Sequence, residues 1–103
     1  MIHVIATIEL RPGTRDAFLA EFAKLIAPVR AEDGCIEYAP AIDADTDIAA
    51  QLRNGPDVVV VVEKWRDLPA LKAHSVAPHM QAYRPRVKDY VVATRLQILQ
   101  PAD

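Results

Sequence analysis

Five consecutive valines, Val58 to Val62, run into Glu63, Lys64 and Trp65, and this stretch constrains the chain most. Valine branches at Cβ, is stiff at χ1 and packs best on a pleated surface, so the run reads as a strand. It falls far short of the ~20 residues that span a bilayer. Because valine occupies both sides, both faces of its sheet need cover. After Arg66-Asp67-Leu68-Pro69 comes a helical pattern carrying His74, His79 and Tyr83. Trp and Tyr offer flat faces to an aromatic ligand, and His offers a base near neutral pH. The expectation is a pocket for a small aromatic molecule, with Trp65 and both imidazoles lining one hollow.

The rest of the chain supplies partners for that strand. Met1 to Leu10 alternates, with Ile2, Val4, Ala6, Ile8 and Leu10 on one side, which is strand periodicity. Arg11-Pro12-Gly13 reads as a turn, and Thr14 is placed to cap a helix from Arg15 to about Ala31. Phe18, Phe22, Leu25, Ile26 and Val29 form its apolar stripe, Pro28 is expected to bend or shorten its end, and Asp33-Gly34 closes it. Cys35 to Ile42 reads as a second strand, and Pro40 places it at an edge or a bulge. Residues 43–57 carry two turns, with Ile48 to Arg53 either a short strand extension or a helical turn. Asp67 caps the second helix and Pro78 opens a further helical segment, whose regularity Pro85 should limit. Tyr90 to Leu99 reads as the last strand. The order βαββαβ is the ferredoxin-like α+β arrangement, an antiparallel sheet with its helices on one face.

At 103 residues the chain reads as one domain, 1–103. A formal charge of -2 and the lack of a phosphate-tracking basic stripe argue against nucleic acid. A single cysteine, Cys35, excludes an internal disulfide and suits a reducing compartment. No basic n-region precedes Ile2, and Glu9 and Arg11 interrupt any apolar leader, so the expectation is a cytoplasmic protein with no membrane partner.

Helices cover one face of such a sheet, yet the third strand is valine on both sides from Val58 to Val62, and the first and last strands are apolar on both as well, with Val4 and Ile8 opposite Ile5, and Val92, Leu96 and Ile98 opposite Val91 and Leu99. Soluble monomers rarely leave several hundred Å2 of apolar surface wet. At ~25 cal/mol per Å2, covering it is worth several kcal/mol before association costs. A homodimer with its sheets face to face is expected. The ligand pocket then falls in the cleft between helices and sheet.

Within that cleft, Trp65 reads as a stacking wall or as a packed core residue. His74 and His79 read as candidate bases for a phenolic proton, and each taken alone also fits a surface or capping histidine. They are five apart across Pro78, unlike the i,i+3 or i,i+4 spacing of metal ligands on one helix, and no carboxylate or Cys sits at a ligand offset. No metal is expected. Met80, Tyr83 and Val87 form a stripe that fits core or ligand wall, Tyr38 faces either cleft or dimer, and Arg84, Arg86 and Lys88 make a basic patch. Cys35 reads as a small buried hydrophobe. Glycine-rich nucleotide loops, a nucleophile elbow and C-x-x-C are absent, so an oxidoreductase of this size would work without an organic cofactor.

Several of these residues carry a family resemblance. Arg11-Pro12-Gly13, Gly34-Cys35, Tyr38-Ala39-Pro40, Glu63-Lys64-Trp65, Ala73-His74, Pro78-His79-Met80-Gln81-Ala82-Tyr83 and Ile98-Leu99-Gln100-Pro101 resemble the cofactor-independent quinol monooxygenases of the antibiotic-biosynthesis monooxygenase superfamily. The resemblance implies a dimeric α+β barrel, oxidation of a hydroquinone or similar phenol by O2, and a functional link to quinone reductases. Haem-degrading members use an Asn on the first strand, where this chain has Ile5, Ala6 and Thr7, and a helix His where it has Tyr83. The polyketide-hydroxylating type places an Asn four residues before the Trp, where this chain has Val61.

The leading expectation is a cofactor-free quinol or phenol monooxygenase. His79 or His74 takes the proton, Trp65 and Met80 hold the ring, and Tyr83 or Tyr38 hydrogen-bonds an oxygen. The alternatives are a non-catalytic dimer that binds a small aromatic molecule, of the stress-response type, and an isomerase or lyase on the same barrel.

Overall fold

The computed structural model describes residues 1–103. Its elements are β1 (Ile2–Leu10), α1 (Arg15–Arg30), β2 (Cys35–Ala41), β3 (Val58–Trp65), α2 (Leu68–Ser75), α3 (Pro78–Val87) and β4 (Val91–Leu99). The four strands form one antiparallel sheet in the order β2-β3-β1-β4. This is the ferredoxin-like α+β fold, with Pro40 on an edge strand where its missing N–H interrupts no central ladder. No helix is long and apolar enough to cross a membrane.

Strand alternation sorts the sheet into two faces. Val4, Ala6 and Ile8 of β1 sit beside Glu63, Val61 and Val59 of β3, and beside Ile98, Leu96 and Thr94 of β4. Onto this face α1 lays Phe18, Phe22, Leu25 and Val29, each no more than 1% exposed. Each such burial is worth about 1.5–3 kcal/mol, which is what fixes α1 to the sheet. The other face carries Ile5 and the valines Val58, Val60 and Val62, with no helix over it. The Lys64–Glu37 and Arg95–Glu9 ion pairs flank that face.

The helices leave β4 uncovered. Leu96 and Ile98 point to the helix side and are still 61% and 51% exposed. The gap between this strand and the helices opens the cleft.

Local signals differ from the sequence expectations at four places. Thr14 occupies the N-cap position of α1, but its hydroxyl donates to Arg11 O at 2.7 Å and caps no helical N–H. Pro28 and Pro85 lie inside α1 and α3, which continue to Arg30 and Val87. Each proline falls in the last turn, so it forfeits its own bond to the carbonyl four residues back (Lys24 or Gln81) but has only two helical residues after it to displace. Residues 42–57 hold neither strand nor helix. Asp43 Oδ2 instead accepts from the backbone N–H groups of Asn54 (2.8 Å) and Gly55 (2.9 Å), a side-chain substitute for a ladder.

Candidate active site

Asp67 sets the site's phase. Its carboxylate accepts from Ala70 N at 2.9 Å and caps α2, with Pro69 in the first turn. From that start Ala70 and His74, four apart, turn inward together. His74 is 5% exposed and lies against fully buried Trp65, ring centroids 4.6 Å apart. Tyr38 packs edge-on to its ring at 5.5 Å, and Phe22 stacks on Tyr38 at 5.4 Å.

A carboxylate from outside this segment completes the arrangement. Glu32 lies just after α1, in the turn that ends at Gly34 (φ +84°), and reaches both α2 and α3 through their histidines. Its Oε2 lies 2.8 Å from His74 Nδ1 and 2.8 Å from His79 Nε2. An ionised carboxylate only accepts, so each of those ring nitrogens carries the proton and donates. His74 is thereby fixed with Nδ1–H toward Glu32, and Nε2 is its only nitrogen free to accept. This is the orienting arrangement that makes an imidazole a directed base.

His74 also forms part of the wall of a cavity of about 770 Å3 between the helix side of β1 and β4 and helices α2 and α3. Val4, Ala6, Val61, Leu96 and Ile98 make its apolar floor. Tyr38, Tyr83 and Glu63 supply polar atoms, and Arg84 and Lys88 border it. Burial pushes the Tyr38 and Tyr83 hydroxyls well above the ordinary phenol range, so they act as neutral donors. Burial also raises the Glu63 carboxyl, against the opposing pull of the Trp65 N–H and of His74. Trp65 Nε1 donates to Glu63 Oε1 at 2.9 Å.

The sequence profile of antibiotic biosynthesis monooxygenases matches residues 1–86. The chain belongs to the antibiotic biosynthesis monooxygenase family. Within that family's reach it is 42% identical over 103 residues to YgiN of Escherichia coli K12, named a probable quinol monooxygenase, covering 98% of each chain. Among solved structures it superposes on Rv0793 from Mycobacterium tuberculosis with a TM-score of 0.79 at 32% identity, covering 99% of this chain and 95% of the other. PA3566 from Pseudomonas aeruginosa gives a TM-score of 0.81 at 27% identity, covering 99% and 94%. The family and the names of these relatives support monooxygenase activity.

In this antibiotic biosynthesis monooxygenase family member, the residues singled out from sequence divide into three groups. His74, Tyr38, Tyr83 and Met80 line the cavity together. Trp65 does not. At 0% exposure it lies behind the wall, its ring tilted 34° against that of His74, so its neighbour is the imidazole and not a ligand. His79 is also off the cavity wall, its side chain 27% exposed on the outer side of Glu32. The two imidazoles share a carboxylate and not a hollow.

Glu32 and Glu63 were not legible as site residues. Glu32 lies 42 and 47 positions from its histidines and looks like any solvated glutamate at a helix end. His74 and His79 lack metal-ligand spacing within the segment around Pro78, and the carboxylate that joins them arrives from elsewhere in the fold. Glu63 did leave a signal, since a charged residue in phase with Val61 and Trp65 must point into the core. Cys35 is a half-buried free thiol, and burial raises its pKa.

Proposed function

We propose that this protein oxidises a quinol or related phenol with O2 and uses no organic cofactor. The observation that carries the reading is His74, which forms part of an apolar cavity wall with Nδ1 held by Glu32 and Nε2 left to accept. Direct reaction of singlet quinol with triplet O2 is spin-forbidden. A phenolate escapes this by giving O2 one electron and recombining with the superoxide formed.

In this scheme His74 Nε2 takes the phenolic proton, and the imidazolium is stabilised by Glu32. Tyr38 and Tyr83 donate to the developing oxyanion, and the apolar floor holds the ring and excludes water. Overall a hydroquinone and O2 become a hydroxyquinone and water. The quinol supplies every electron, so the balance needs no other reductant. A quinone reductase that regenerates such substrates is a fitting functional partner.

O2 uptake with reduced naphthoquinone, in chelator-treated buffer and with autoxidation subtracted, tests the reading. Uptake lost in His74→Ala is expected. Tight naphthoquinone binding with no O2 consumption would instead make the protein a non-catalytic carrier.

A homodimer belongs to the same proposal. The face of the sheet that carries Ile5, Val58, Val60 and Val62 has no helix over it. A second copy packed face to face would cover that surface. Light scattering at micromolar concentration is expected to give twice the chain mass, and Val60→Lys should shift it to one.

A further inference from the structure

Glu32, His74 and His79 have a second capacity. We propose that they form a site for one divalent first-row transition ion, and that its binding converts His74 from acceptor to donor on the cavity side. The ligand atoms, one carboxylate oxygen and two imidazole nitrogens, all lie within 4.8 Å of one another. Two of the three edges are 2.8 Å. A metal at about 2.0–2.1 Å from each ligand needs edges of about 2.9–3.4 Å, between octahedral and tetrahedral angles. Side-chain adjustments of a few tenths of an ångström on the short edges open the space.

The donor set selects the ion. Two imidazoles and a carboxylate suit Zn(II), Co(II), Fe(II), Ni(II) or Cu(II), whereas Mg(II) and Ca(II) prefer all-oxygen shells. Three protein ligands leave coordination positions for water. The ion has a route from outside: His79 is part-exposed, and Glu32 also borders a surface groove with Asp33 and Arg66.

The consequence follows from imidazole tautomers, and it rests on the reading of His74 as the base. With Glu32 alone, Nδ1 holds the proton and Nε2 accepts. With a metal on Nδ1, the neutral ring must carry its proton on Nε2, which can then only donate. The ion therefore silences proton abstraction without entering the cavity.

Co(II) is the probe for binding, because its visible absorption reports an imidazole-containing shell. The chelator-stripped, full-length protein is titrated with Co(II), and Zn(II) is followed by equilibrium dialysis. One ion per chain is expected, with Mg(II) not competing. His79→Ala, at a part-exposed position, and Glu32→Gln should each weaken binding at least about 100-fold, with far-UV circular dichroism checking the fold. Absence of a Co(II) spectrum at submillimolar protein together with no Zn(II) retained in dialysis, or binding unchanged in both variants, overturns the site. Zn(II) should inhibit O2 uptake with the same concentration dependence as its binding, and a bound but uninhibited enzyme overturns the tautomer switch. Co(II) binding in a protein inert toward quinols would leave the site standing and remove the proposed reaction instead.

Discussion

Glu32 and His74 stand 42 residues apart in sequence and 2.8 Å apart in space. The contact holds Nδ1 of His74 and leaves Nε2 as the nitrogen free to accept, so the pair should behave as a unit. His74→Ala should lower kcat/KM for quinol oxidation by at least about 100-fold, the low end for a positioned general base. Glu32→Gln keeps an acceptor oxygen but loses the charge that stabilises the imidazolium, and should cost about tenfold, or ~1.4 kcal/mol. The double variant should be no slower than His74→Ala, because an orienting group has nothing left to orient. Additive losses in steady-state kinetics would mean that Glu32 acts through another residue.

Tyr83 and Tyr38 keep their protons across the working range, since burial raises both hydroxyls. Tyr83→Phe should therefore reduce kcat/KM by about tenfold, the worth of one hydrogen bond to a charged oxygen. The loss should be the same at pH 6 and pH 9. A loss that grows with pH would identify the phenolate as the reactive form.

Glu63 should make stability depend on pH in an unusual direction. Its folded pKa is raised above the ordinary 4.5, chiefly by burial. Between those values the native state binds more protons than the unfolded chain, so this carboxyl's contribution to stability falls as pH rises through the window. Glu63→Gln stays neutral and keeps an oxygen for Trp65 Nε1. It should melt higher than the parent at pH 7–8, with the gap closing near pH 4. A lower melting temperature at neutral pH would show that the carboxylate is a net stabiliser through Trp65.

Gly34 is required twice over. Its φ is +84°, and a Cβ there would lie 2.6 Å from Ala70 Cβ on α2. Gly34→Ala should cost about 2–4 kcal/mol, combining left-handed strain with overlap. Gly13 has a similar φ of +80° with open space around it, so Gly13→Ala should cost only the backbone part, about 1 kcal/mol. Urea denaturation of both variants separates the two contributions. Equal losses would mean that α2 yields easily.

Much of the architecture could be read residue by residue. The alternation of Ile2 to Leu10 and the valine run marked two central strands, and the stripe from Phe18 to Val29 marked a helix facing them. The cap at Asp67 was legible because it acts across only three residues. Thr14 misled, because a hydroxyl beside a turn has a second acceptor in Arg11 O. Residues 43–57 gave no period to read, since side chains of Asp43 and Thr46 organise that segment.

Sequence by itself determined the sheet, the faces of its strands, the helix stripes and the presence of imidazoles and phenols near one end of β3. Those features depend on neighbours within a few positions, where the chain's own geometry dictates which side chains share a side. Only the tertiary structure decided that Trp65 backs His74, that His79 stands outside the cavity, and that Glu32 joins the two histidines. Such contacts depend on how separate elements pack, and the angle between two helices is set by the bulk of the whole core between them.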